Sequence, residues 1–165
     1  MFEVGDYVVY GTSGVCRVEA IEPMQLSRNS KKELYYTLDP IYDKGSTVFT
    51  PISNTKIVIR PIVSAQDANK LIDNIKSIDL LWIRDEKKRE DYYKEALKTC
   101  DCTEWVKIIK TLYLRKKERK AEGKKVTFSD ENYLHLAEQN LYGELAIALG
   151  MKKDQIEEYI EERIG

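Results

Sequence analysis

The hydrophobic pattern of this 165-residue chain changes period once, near Arg60–Ser64, and that change limits the fold more than any other feature. Before it, apolar and β-branched residues come in short runs of alternating character: Phe2 and Val4, Tyr7 to Tyr10, Val15 with Val18 and Ile21, Leu34 to Leu38, Thr47 to Thr50, and Ile57 to Ile59. Turn formers separate them, notably Gly5-Asp6, Gly11 to Gly14, Asp43 to Ser46 and Ser53-Asn54. A period of two bounded by such residues predicts about five strands. Segments this short leave no room for crossover helices, so the strands pair antiparallel, and some 60 residues suit a small Tudor-like or SH3-like β-barrel. Such a barrel has almost no interior for a substrate.

From Ser64 onward the spacing is that of helices. Ser64 and Asp67 make a cap for a first helix of about 14 residues carrying Leu71, Ile72, Ile75 and Ile78. A second helix is predicted to begin just after Trp82, with Tyr92, Tyr93, Ala96 and Leu97. A third is capped by Asp101 with Glu104 and ended by Gly123; its stripe is Trp105, Ile108, Ile109 and Leu112. Ser129 is the predicted cap of a fourth, which Gly150 closes. A short fifth starts near Lys153. The fold class is therefore α+β: a β-barrel over residues 1–61, then an all-α domain of about five helices over residues 62–165. Pro61 marks the change, since it disfavours helix at Arg60.

Charge is sorted along the chain although it sums to −1. Between Trp105 and Lys125 stand nine Lys or Arg and two Glu, whereas Phe128 to Gly165 holds nine Asp or Glu and three Lys or Arg. A solvated helix face alternates signs so that neighbours one turn apart support each other. This run does not, which points to a polyanion or an acidic surface as its partner. No apolar stretch approaches the roughly 20 residues needed to span a bilayer, nothing reads as an export signal, and Cys16, Cys100 and Cys102 are odd in number. These features predict a cytoplasmic protein with reduced thiols and no membrane partner.

Motifs of catalysis are missing. His135 is the only histidine, so neither a His-centred triad nor a multi-His metal site can be built. Cys100 and Cys102 lack a second ligand pair, and Gly11 to Gly14 is too short to cradle phosphates. No enzyme, cofactor or metal is expected. Binding remains.

The opening FEVGDYVVYGTSGVCRVEAIE, with TVFTPISNTKIVIRPIVS further on, resembles the CarD/CdnL family of bacterial transcription regulators, whose first domain also occurs in the transcription-repair coupling factor. DCTEWVKIIKTLYLRKKER and LYGELAIALG continue the resemblance through the second half in the family's order. It implies a Tudor-like RNA polymerase-interacting domain joined to a compact helical domain. In the family the first domain adds its sheet border to the polymerase β subunit. The helical domain reaches promoter DNA at the upstream edge of the bubble, where a Trp wedges into the minor groove and slows closure of the opened promoter.

Carried onto this chain, the polymerase border is Thr47, Val48, Phe49 and Thr50, with Met24 and Phe49 at positions where family members often carry Arg. A strand border offers unpaired N–H and C=O groups, so strand addition is physically reasonable there. The alternative is an interior strand with Phe49 in the core. Phosphate contacts fall to Lys87, Lys88 and Arg89 near the second helix and to Lys116, Lys117, Arg119, Lys120, Lys124 and Lys125 around the third. Trp105 lies on an apolar stripe and reads as core. Trp82 is the candidate wedge, although Arg84, Asp85 and Glu86 set it further from its basic pair than is usual; otherwise it packs the first helix on the second. A protein-only adaptor, its basic helix meeting an acidic protein, is the competing function, and an RNA-binding module is weaker for want of an aromatic platform. Nothing calls for more than a monomer.

Overall fold

The computed structural model describes residues 1–165 and divides into two compact units, Met1–Ile62 and Val63–Gly165. The first is a five-stranded antiparallel sheet: β1 (Tyr7–Tyr10), β2 (Gly14–Met24), β3 (Glu33–Pro40), β4 (Val48–Pro51) and β5 (Ile59–Pro61), in the order β4-β3-β2-β1-β5. The alternation read from the sequence sends Val8, Tyr10, Cys16, Val18, Tyr36 and Leu38 into one core. Val48 on one border strand and Ile59 on the other pack against that same cluster, so the sheet rolls up around it. A register shift in β2 between Val18 and Ala20 supplies part of the bend. Gly11 is fixed by geometry, since its φ is +45° and a Cβ there would lie 2.7 Å from Ile57 Cγ2.

The second unit holds α1 (Ala65–Asp73), α2 (Arg89–Lys98), α3 (Cys102–Ala121), α4 (Phe128–Leu149) and α5 (Ile156–Ile164). Trp105, Ile108 and Leu112 of α3 meet Leu141 and Leu145 of α4 in a core completed by Ile72, Tyr93 and Ile156, all essentially without solvent contact. Arg163 on α5 holds Asp73 on α1 through two hydrogen bonds of 2.6 and 3.1 Å. Glu144 of α4 is wholly buried, and its carboxylate accepts the Val63 N–H at 2.8 Å and the Cys102 thiol at 3.1 Å. No helix is long and apolar enough to cross a membrane.

Three helix boundaries differ from the sequence reading, each for a local reason. The first helix has nine residues instead of about 14, because Asn74 turns its carboxamide back onto the Lys70 carbonyl at 2.8 Å and a 3-10 turn follows at Ile75–Ser77. The second starts at Arg89 rather than just after Trp82, because Asp85 accepts from the Lys87 N–H and nucleates a 3-10 turn over Glu86–Lys88 first. The fourth is capped by Thr127, which accepts from the Asp130 N–H at 3.1 Å, and not by Ser129. The Ser129 hydroxyl turns instead to Glu90 of α2.

Candidate functional site

In the sheet, β4 is hydrogen-bonded to β3 on one flank and to no strand on the other. Val48 and Thr50 face the core while Phe49, opposite Thr37, points out and is 45% exposed. The alternative of an interior strand with Phe49 in the core is therefore not what the chain builds. Thr47 lies just ahead of the strand. Met24 is separate from this border: it ends β2, two strands in from β4, across from Glu33.

In the helical unit, Trp82 and Trp105 have opposite fates. Trp105 is 0% exposed, whereas Trp82 is 74% exposed and belongs to an irregular stretch ahead of α2. Leu81 and Ile83 turn toward α3 and are half-buried, leaving the ring between them to point away. That stretch is pinned. The Leu81 N–H donates to Thr111 Oγ1 at 2.8 Å, and the Lys110 ammonium donates to the carbonyls of Ile75, at 2.9 Å, and Ile78.

The basic run resolves into two kinds of residue. Arg115 is bound to Asp130 at 2.6 Å, Lys107 to Glu104 at 3.1 Å, and Arg119 donates to the Lys125 carbonyl at 2.9 Å. Lys116 is half-buried, 3.9 Å from Glu131. Arg89, expected to face phosphates, is only 15% exposed; it pairs with Glu86 at 2.9 Å and lies 5.6 Å from the Tyr93 ring centroid. It is a structural residue of the α2 start. The outward cations are Lys87, Lys88, Lys117, Lys120, Lys124 and Lys125, of which only Lys124 has an ion-pair partner, the exposed Glu122 at 3.2 Å.

These outward cations share one end of the unit. Contacts of Ser129 with Glu90 and of Asp130 with Arg115 bring the starts of α2 and α4 beside the last turns of α3. Two helix N-termini thus add their positive dipole ends to the lysines. Phe128, the first residue of α4, is 89% exposed at this end. The sequence reading missed it. Its signal was the Thr127–Asp130 cap, which places Phe128 off the inward stripe, but Ser129 offered a competing cap two residues on. Further along α4 and on α5 the sign reverses. Burial, then the nearby Glu157, push the Glu138 carboxyl above its ordinary value. No group of three His, Cys, Asp or Glu side chains could hold a metal ion.

Both units find counterparts among known domains. Residues 2–63 match the CarD-like/TRCF RID domain, and residues 83–161 match the CarD C-terminal domain. The chain belongs to the CarD family. As a CarD-family protein it is an RNA polymerase-interacting transcription regulator, with a Tudor-like first domain and an all-α second one. The two CarD matches leave residues 64–82 uncovered, so Trp82 lies one residue outside the second. Its assignment to a role must come from its surroundings in this chain.

Proposed function

We propose that this CarD-family protein bridges the RNA polymerase β subunit and promoter DNA, and stabilises the open promoter complex without catalysing a reaction. Its sheet supplies the polymerase contact. The free flank of β4 offers main-chain donors and acceptors to a partner strand, and outward Phe49 covers the new pairing. The outward cations Lys87, Lys88, Lys117, Lys120, Lys124 and Lys125 hold the DNA backbone near the upstream edge of the bubble without reading sequence.

The single observation that carries this reading is the exposure of Trp82 on a pinned irregular stretch beside a cationic helix end. A large apolar ring held out in water by a rigid support is ready to lodge at a base step. Unstacking costs a few kcal/mol; once that cost is met in the open form, the same contact must be broken for the duplex to close. Each 1.4 kcal/mol so gained slows closure about tenfold.

The test is the lifetime of competitor-challenged open complexes with the unmodified protein and with Trp82→Ala. The unmodified protein lengthens the lifetime and the variant, still folded, does not. A protein-only adaptor would instead show no DNA binding even at low salt, and charge reversal at Lys116 and Lys120 would disturb a protein contact.

A further inference from the structure

Behind Trp82 the helical unit has an open cleft of about 250 Å³, whose chemistry the bridging role does not use. Leu80, Leu81 and Ile83, on either side of Trp82 in sequence, line it together with Thr111 and Leu114 of α3; its rim carries Glu86, Arg89, Arg115 and Glu118. The volume far exceeds the methyl-sized voids of a packed core and is of the order of one nucleobase. Both arginines of the lining are already committed, Arg89 to Glu86 at 2.9 Å and Arg115 to Asp130 at 2.6 Å, and Glu118 adds a carboxylate with no cation bound to it, so a phosphate group entering here would find no free positive charge. A neutral, flat ring with donors and acceptors along its edge meets no such penalty. It finds apolar walls for its faces, with carboxylate and guanidinium groups for its edge.

We infer that this cleft receives an unstacked nucleobase from the strand that Trp82 parts. The inference rests on the proposed DNA contact and adds a site to it. Leu80, Leu81 and Ile83 line the cleft while Trp82 among them is turned out to solvent, so wedge and cleft belong to one short segment. A ring inserted at a base step leaves one base without a stacking partner, and the nearest concave surface that can desolvate that base is lined by the same segment. Capturing the base opposes restacking and adds to the barrier against closure. The wall is rigid because the Leu81 N–H is tied to Thr111 Oγ1.

The test uses the full chain with forked DNA and the matching fully paired duplex, each carrying 2-aminopurine next to the fork position. Leu114 is 43% exposed, so Leu114→Trp can fill the cleft from its open side while Trp82 and the lysines stay in place. The unmodified protein prefers the fork; Leu114→Trp keeps its duplex affinity but loses roughly tenfold of that preference, and the 2-aminopurine signal of the captured base falls back toward the free-fork value. Glu118→Leu, at an exposed position, removes a rim acceptor and lowers the preference by roughly threefold to tenfold. Fork preference that survives both substitutions overturns the cleft alone. Failure of the unmodified protein to bind either DNA overturns the bridging role and the cleft with it.

Discussion

Trp105 and Trp82 show how one residue type divides between support and contact. Trp105 fills the centre of the helical core, so Trp105→Ala removes about 3–5 kcal/mol of stability, read as a fall in the urea midpoint of the helical unit. Trp82→Ala leaves that midpoint unchanged. The fate of Trp105 was legible in the sequence, since it shares a helical stripe with Ile108 and Leu112; Trp82 shares none, which left open whether it points out or packs the first helix on the second. Glu144 was not legible. An acid in the middle of a helix reads as solvent-facing, and the groups that hold it in the core, Val63 and Cys102, are 81 and 42 residues away in sequence. Glu144→Leu strands the Val63 N–H and lowers stability by about 1–3 kcal/mol in the same measurement. Arg89 misled because it stands in the basic triplet Lys87-Lys88-Arg89, although its partners Glu86 and Tyr93, three residues before and four after, lie on its own face.

Elements carry the next set of consequences. The strand period located the first four strands, and the fifth, read at Ile57–Ile59, lies two residues later at Ile59–Pro61; whether β4 is a border or an interior strand was left open, because alternation fixes which face a side chain takes and not which strands lie beside it. Helix starts were less accessible: Asp85, Thr127 and Ser129 all have capping side chains, and tertiary partners such as Glu90 decide which of them caps. At the β4 border, Phe49→Lys places a charge on an exposed flank, so the sheet keeps its thermal midpoint while affinity for a polymerase β fragment falls at least roughly tenfold. On α4, the raised Glu138 carboxyl makes a signed prediction. Below its ordinary value of 4.5 the group is protonated in folded and unfolded chain alike and has no effect. As pH rises past the raised folded value, an ionised Glu138 must be held in a partly buried place near Glu157, and stability is lost. Glu138→Gln therefore raises the urea midpoint at about pH 7 and leaves it unchanged at about pH 4.

At the scale of the whole molecule, the near-zero net charge conceals a separation that the structure makes spatial within the helical unit: outward lysines at the end where α2, α3 and α4 converge, carboxylates along α4 and α5. The structure also lowers the number of cations available to phosphate, because Arg89, Arg115 and Arg119 are occupied within the fold. With six outward lysines, log-affinity for DNA falls with log-salt at a slope no steeper than about −5, and the double substitution Lys117→Ala with Lys120→Ala makes the slope shallower by about 2. The most direct measurement of the bridging role is the competitor-challenged lifetime of open promoter complexes in the presence of the unmodified chain, Phe49→Lys and Trp82→Ala. The account predicts a lengthened lifetime that either substitution abolishes, one by releasing polymerase and the other by releasing the parted base step. A lifetime the unmodified protein does not change, or one that survives both substitutions, would contradict it.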